Sequence, residues 1–461
     1  MILNDISNWL EDPHKDHEYK YRVLVYPNIT YSADIERDSY VVVIRNALKY
    51  LTTEYPNVQW VLLTPTVINS ISRIPHTEQR IYPLPSYPNS MRAHFNVPQF
   101  LDVINWREED FDIVYSHLPE HTAQISNVLT NSTNISPKIV GYCHWYEVEE
   151  NTAYTKNLLH ANIAGTLHME ECGVNSEWLK QLVLNRAAID FSARVVAKLD
   201  GIIQPHYLGV DSEEINIPTD RKYSPGAILF NHRPNEYTGW LWFSKAMDKL
   251  WEQRQDFKVY TTLAQVDKPW NEKVNLSTRQ EYLEFLQNVP MMGVGCFERY
   301  SAWSISTTDS LSQGVPCLLP NSLCYPEMVG SAKYNDWLYN SRDEFISKLN
   351  ALLDNPLLAQ NVNRGIPGFT TMVKSMAWEH RVEKWFGGWN HIFDLSDYSM
   401  RSKTESYQKI VEFIRKQGFA TKQQIIEHMN WGVSIPWGKY RNLLRTEKGV
   451  KFTKNGYKWE N

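Results

Sequence analysis

The sequence contains no apolar stretch of membrane-spanning length: runs such as Val41-Val42-Val43-Ile44 stop after a few residues, whereas a bilayer needs roughly 20. The opening residues carry acids early and show no apolar run behind a basic start, so no export leader is expected and the protein is read as cytoplasmic. Cysteine is scarce. Cys143, Cys172, Cys296, Cys317 and Cys324 are odd in number and scattered without a C-x-x-C pair, which excludes a disulfide framework or a zinc site and predicts reduced thiols. Metal ligands at any other recognisable spacing are absent, so no metal is expected. Compositional bias is lacking too: with 43% hydrophobic and 21% charged residues, the chain is neither disordered nor fibrous. Its 461 residues, at about 150 per domain, suggest about three domains.

Charge is unevenly spread. The formal net charge is −5, yet residues 401–461 carry 13 Lys and Arg against 5 Asp and Glu, a balance of +8 that leaves −13 for the remainder. A basic tail on an acidic body fits one module that handles a polyanion and another that does not, or a solvated face that aids solubility.

Along the body, short β-branched runs alternate with segments of helical period. Tyr21–Tyr26 is read as a strand ending at Pro27-Asn28, and Ser39–Leu51 as a helix. Strands at Gln59–Leu63, Asp112–Ser116 and Lys138–Tyr142, a helix from Ser176, and a strand from Asp200 follow. Ser212–Pro225 is polar and proline-containing and reads as a linker. Behind it the plan repeats: strand Ala227–Phe230, helix Trp240–Gln255, strand Lys258–Thr262, helix Arg279–Gln287, strand Met291–Gly295, helix Ile305–Gln313, strand Pro316–Leu319. Such alternation predicts two doubly wound parallel sheets, which bind ligands beyond the carboxyl ends of their strands.

Specific residues now add to this pattern. Ile203-Gln-Pro-His-Tyr-Leu-Gly-Val-Asp211, Phe230-Asn-His-Arg233, the run from Ser301 through Asp309 to Gly314-Val-Pro316, and Tyr325-Pro-Glu327 resemble, in order and spacing, the signature segments of retaining GT-B glycosyltransferases of family four. Met376-Ala-Trp378-Glu379 into Trp385 is similar to the family's helix that crosses back onto the first domain. The resemblance implies an α/β GT-B fold of two Rossmann-like domains facing a cleft, an acceptor-side domain over 1–214 and a nucleotide-sugar-binding domain over 215–395 with the crossover helix near 376–392. A small domain over 402–461 completes the expected organisation.

The resemblance implies a nucleotide-sugar donor, expected to be UDP-glucose or another UDP-sugar, with no further cofactor. Its diphosphate suits a helix N-terminus, where free N–H groups and the dipole meet the anion, and Ser301, Ala302, Trp303 and Ser304 precede such a helix. The resemblance places the ribose on Asp309, whereas by itself Asp309 is an acid favouring the dipole of its helix. It places Arg233 on the leaving diphosphate, as a catalytic and donor-binding cation. His144, after the strand Lys138–Tyr142, resembles the histidine facing the transferred sugar; beside aromatics it also reads as a core residue. Asp34 and Glu36 border the acceptor side and are candidates to orient or deprotonate a hydroxyl. Two departures stand out: Thr238 occupies the position of a family lysine, and Ser301 that of the family's first glutamate, for which Glu298 is the candidate substitute.

The tail has helical period over Ser406–Gln417, a second start at Thr421, a third helix over Pro436–Arg445, and a hairpin over Gly449–Trp459 around Asn455-Gly456. This order resembles a winged helix, which places Lys439, Arg441 and Arg445 near a major groove and Lys451, Lys454 and Lys458 of the wing on phosphates. A winged helix that binds protein is the alternative. Joined to a sugar-transfer core, the tail suggests transfer to a hydroxymethylated pyrimidine in double-stranded DNA, similar to the bacteriophage DNA glucosyltransferases that protect viral genomes from restriction. The rivals are a cytosolic glycosyltransferase acting on protein or glycan, its tail binding a partner, and an inactive DNA-binding relic of the fold.

Overall fold

The computed structural model describes residues 19–32, 35–84, 93–104, 109–132, 137–148, 153–218, 221–263, 266–330, 334–360, 366, 368–381, 408–429, 444, 449–453 and 456–460. The first apolar runs build a seven-stranded sheet of β1 (Tyr21–Tyr26), β2 (Val58–Thr64), β3 (Thr77–Ile81), β4 (Ile113–Ser116), β5 (Lys138–Cys143), β6 (Glu171–Val174) and β7 (Ile203–Pro205), ordered β3-β2-β1-β4-β5-β6-β7. Strand β1 runs parallel to both β2 and β4. Its residues Val23, Leu24, Val25 and Tyr26 are all buried, the continuous apolar run of a strand covered on both faces.

The second series builds a parallel sheet of β8 (Ala227–Phe230), β9 (Lys258–Thr261), β10 (Asn271–Lys273), β11 (Met292–Val294), β12 (Cys317–Pro320) and β13 (Leu338–Tyr339). Its order, β10-β9-β8-β11-β12-β13, repeats that of the first sheet about the same switch point, between its first and fourth strands. Caps fix the helices between: Asp38 accepts from the N–H of Tyr40 at Ser39–Glu54, and Thr278 with Glu281 forms a capping box at Arg279–Asn288.

Four strands of the two large sheets escaped the sequence reading. Strands β6 and β13 are only four and two residues long, and the edges β3 and β10 read Thr-Glu-Gln-Arg-Ile and Asn-Glu-Lys with no fully buried residue. Edge strands face solvent, so their apolar signal is weak. The strand expected from Asp200 begins only at Ile203, because Ala193–Ile202 is a helix. The segment read as a linker is firmly held: buried Arg221 donates to the carbonyls of Pro290 at 2.6 Å and Met291 at 2.9 Å.

Two compact units result, one of Met1–Gly173, Leu184–Gln204 and Trp385–Asn461, the other of Val174–Val183 and Pro205–Lys384. The chain enters the main part of the second unit at Gln204/Pro205. Beyond it the chain is tied to the second unit: Val210 bridges Ala377, and a Cβ on Gly209 would lie 2.5 Å from the Trp378 ring.

At the C-terminal end, a helix over 408–417, β14 (Phe419–Ala420), the helix Lys422–His428, and the hairpin β15 (Val450–Thr453) and β16 (Gly456–Trp459) share a core of Ile410, Ile414, Ala420, Ile425, Leu444, Val450 and Tyr457. The sheet order is β14-β16-β15, antiparallel throughout. Thr453 pairs with Gly456, so Gly456 opens the returning strand instead of sitting in the turn.

Candidate functional site in the second unit

Strand β8 is followed by Asn231, His232 and Arg233, beside the helix Ile305–Ser312. Buried Asn231 ties the two together, donating to the Tyr282 hydroxyl at 2.8 Å and the Ser306 carbonyl at 2.9 Å. His232 is buried, and burial pushes its imidazole down to about 4, so it is neutral. Arg233 is exposed, and among the described residues no side chain pairs with its guanidinium.

Thr238 is buried and acts on the loop: its hydroxyl lies 2.7 Å from the Arg233 carbonyl and 2.8 Å from that of Asn235. It closes the turn that carries Arg233. The turn ends at Gly239, whose φ of 76° and a backbone approach that puts a would-be Cβ 1.7 Å from the Cys296 carbonyl both require glycine.

Ser301, Ala302, Trp303 and Ser304 are all buried in the loop leading into Ile305–Ser312. Ser304 caps that helix, accepting from the N–H of Thr307 at 3.2 Å. Ser301 lies 3.5 Å from the Cys324 sulfur. The Trp303 indole N–H is buried with no acceptor, and its ring is 5.5 Å from that of Tyr207.

The acids expected near the donor are engaged by arginines. Both oxygens of buried Asp309 accept from Arg279 at 2.8 Å, and Arg279 also reaches Glu214 at 2.6 Å. Burial raises the Asp309 carboxyl despite the arginine. Asp309 sits mid-helix, with no acid in the first turn, so a simple dipole role does not describe it. Glu298 is exposed and held by Arg342 through two bonds of 2.6 Å. Sequence reasoning assigned no role to Arg279 or Arg342, because nothing local marks an arginine 30 or 44 residues from its partner. Glu327 accepts from the N–H groups of Glu177 at 2.8 Å and Trp178 at 2.9 Å, capping the helix Glu177–Asp190.

In the first unit, His144 follows β5, half-buried, its ring 5.4 Å from Tyr40. At the end of the neighbouring β4 lies His117, which sequence reading left without a role. Its ring is 4.5 Å from Tyr115 and 5.8 Å from Tyr142, and among the described residues neither of its nitrogens has a hydrogen-bond partner. Burial, then the nearby His144, pushes it down to about 3. The signal available was position, since both histidines end adjacent parallel strands of the sheet. Asp34 lies outside the described residues; Glu36 accepts from the N–H of Ser70 at 3.3 Å.

In the tail, Lys451 and Lys458 are exposed and lie 3.5 Å and 3.9 Å from Glu460. Lys439, Arg441, Arg445 and Lys454 lie outside the described residues, as do 382–392 of the expected crossover helix. All five cysteines are buried and none forms a disulfide. Among the described residues no group of three His, Cys, Asp or Glu is arranged to hold a metal, and no helix is long and apolar enough to cross a membrane.

No protein-family model matches the chain, and no curated protein does. Solved structures do. Sucrose-phosphate synthase from Thermosynechococcus elongatus is similar with a TM-score of 0.61 and 11% identity, over 81% of this chain and 99% of that one. Anabaena HepE in complex with UDP and glucose gives a TM-score of 0.58 and 9% identity over 80% and 100%. The lipopolysaccharide outer core galactosyltransferase WaaB gives 0.52 and 12% over 82% and 99%. With its two sheets wound in the same order, the chain has the GT-B fold.

Proposed function

We propose that the protein is a glycosyltransferase that moves a sugar from a UDP-sugar to a hydroxymethylated pyrimidine base in DNA, with retention at the anomeric carbon. The observation that carries the donor half is the meeting of three features in one unit: the Ser304-capped helix, the buried Ser301–Ser304 loop and an exposed Arg233 that no described carboxylate neutralises. A helix N-terminus and a free guanidinium suit a diphosphate. HepE, of the same fold, is recorded with UDP and glucose.

In this reading the bond from the anomeric carbon to the diphosphate oxygen breaks and a bond to the acceptor hydroxyl oxygen forms on the same face. The hydroxyl proton passes to the departing diphosphate. Arg233 and the helix N–H groups stabilise the charge that develops there. His144, near the end of its sheet, is assigned to the transferred sugar, and Asp34 to the acceptor hydroxyl.

The acceptor half rests on the tail. The sequence of helix, short strand, helix and hairpin, with sheet order β14-β16-β15, supports a winged helix, and its +8 balance supports a polyanionic partner. A duplex base would have to leave its stack to be reached, and such transfer would serve a bacteriophage by shielding its genome. The contacts of Lys451 and Lys458 with Glu460 favour a second reading, in which the tail binds a protein and the acceptor is protein or glycan. Mass spectrometry of nucleosides decides: DNA containing hydroxymethylated pyrimidines is incubated with the protein and a panel of nucleotide sugars. A hexose or pentose on one base is expected; donor hydrolysis without any addition to DNA overturns the DNA reading.

A further inference from the structure

Several arginines in this fold find carboxylates, and buried Arg221 finds two backbone carbonyls. Arg80 bonds Glu109 and Glu78, Arg254 bonds Asp256 and Asp354, and Arg342 bonds Glu298. Arg381 differs. It is half-buried, its Nε is buried without a hydrogen-bond partner, and no described carboxylate pairs with it. Burial lowers its pKa, and among its neighbours only the Tyr207 phenol opposes that shift. A half-buried charge without a counter-ion is unfavourable unless an anion completes it.

Its surroundings point to which anion. The guanidinium lies 5.0 Å over the Tyr207 ring, and Tyr207 lies 5.5 Å from Trp303, the residue before the helix-capping Ser304. Arg381, Tyr207 and Trp303 thus form one chain of contacts, within one unit, that leads to the loop assigned to the donor. Stacking on an aromatic face leaves the edge of the guanidinium, with its forked N–H donors, free for two phosphate oxygens. We propose that Arg381 binds the diphosphate of the nucleotide-sugar donor, acting with Arg233 as a second cation. This rests on the reading of Ser301–Ser304 as the donor loop.

The test is binding by the full chain, with UDP measured by titration calorimetry and uridine, which has no phosphate, by ligand-observed NMR. Arg381→Met keeps an unbranched side chain over Tyr207 and removes the charge; it is expected to weaken UDP by at least about tenfold and uridine by less than about threefold. Arg381→Lys keeps a cation and should fall between the wild type and Arg381→Met for UDP. Thermal melting confirms that each variant is folded, and the lysine variant carries the test if the methionine variant is not. Wild-type UDP affinity in Arg381→Met, or equal losses of UDP and uridine, overturns the proposal while leaving the donor loop standing. Absence of UDP binding by the wild type overturns both.

Discussion

The two large sheets share a strand order, yet their carboxyl ends carry different chemistry. At the first, His117 and His144 sit among Tyr40, Tyr115 and Tyr142, with His117 buried and neutral. At the second, Ser304 caps a helix, Arg233 is exposed, and buried Asp309 is matched by Arg279. Topology sets where a site lies; the residues that follow each strand set what it can hold. In the proposed function the first end takes the neutral, hydroxyl-bearing sugar and the second the anionic diphosphate.

The sharpest way to break that contrast is Arg233→Ala. Transfer should fall at least about 100-fold, as when a preorganised charge on a leaving group is lost, while DNA binding is retained; unchanged turnover would remove Arg233 from the donor site. Deleting residues 402–461 comes next. The apparent KM for DNA should rise about tenfold, the loss expected when several phosphate contacts are removed, with donor hydrolysis preserved; an unaltered KM takes the tail out of substrate recognition.

Thr238→Val tests the turn behind Arg233. It removes a hydroxyl that bonds two carbonyls, at a cost of about 1–3 kcal/mol for the groups left unpaired, so a several-fold fall in kcat with a small drop in Tm is expected. A full loss of UDP binding would instead show a direct contact. The smallest effect concerns the first sheet. Folded His117 stays neutral until about pH 3, whereas its ordinary value is 6.5, so the unfolded chain takes up a proton first as pH falls. The stability tied to neutral His117 is therefore full above about 6.5 and lost progressively down to about 3. His117→Phe should flatten that part of the pH–stability profile and leave Tm at pH 8 unchanged or higher; a Tm loss at pH 8 would argue that the ring nitrogens have a partner.

Much of the fold was legible because parallel strands buried on both faces write a continuous apolar signal. Strands β1 and β8 fall on the very residues the sequence marked, Tyr21–Tyr26 and Ala227–Phe230. Edge strands β3 and β10 were not, since solvent on one side lets polar residues in. Within the site, the capping role of Ser304 follows from its place before a helix, and the exposed position of Arg233 from its place after a strand. The sequence alone thus determined the alternation, the candidate donor loop and the basic tail, all of which depend on neighbours a few residues apart. Tertiary structure decided the rest: that Arg279 occupies Asp309, that Arg342 holds Glu298, that Glu327 caps a helix 150 residues earlier, and that Arg381 stacks on Tyr207. Those pairings join groups remote in sequence through charge and shape, and no local period or propensity encodes them.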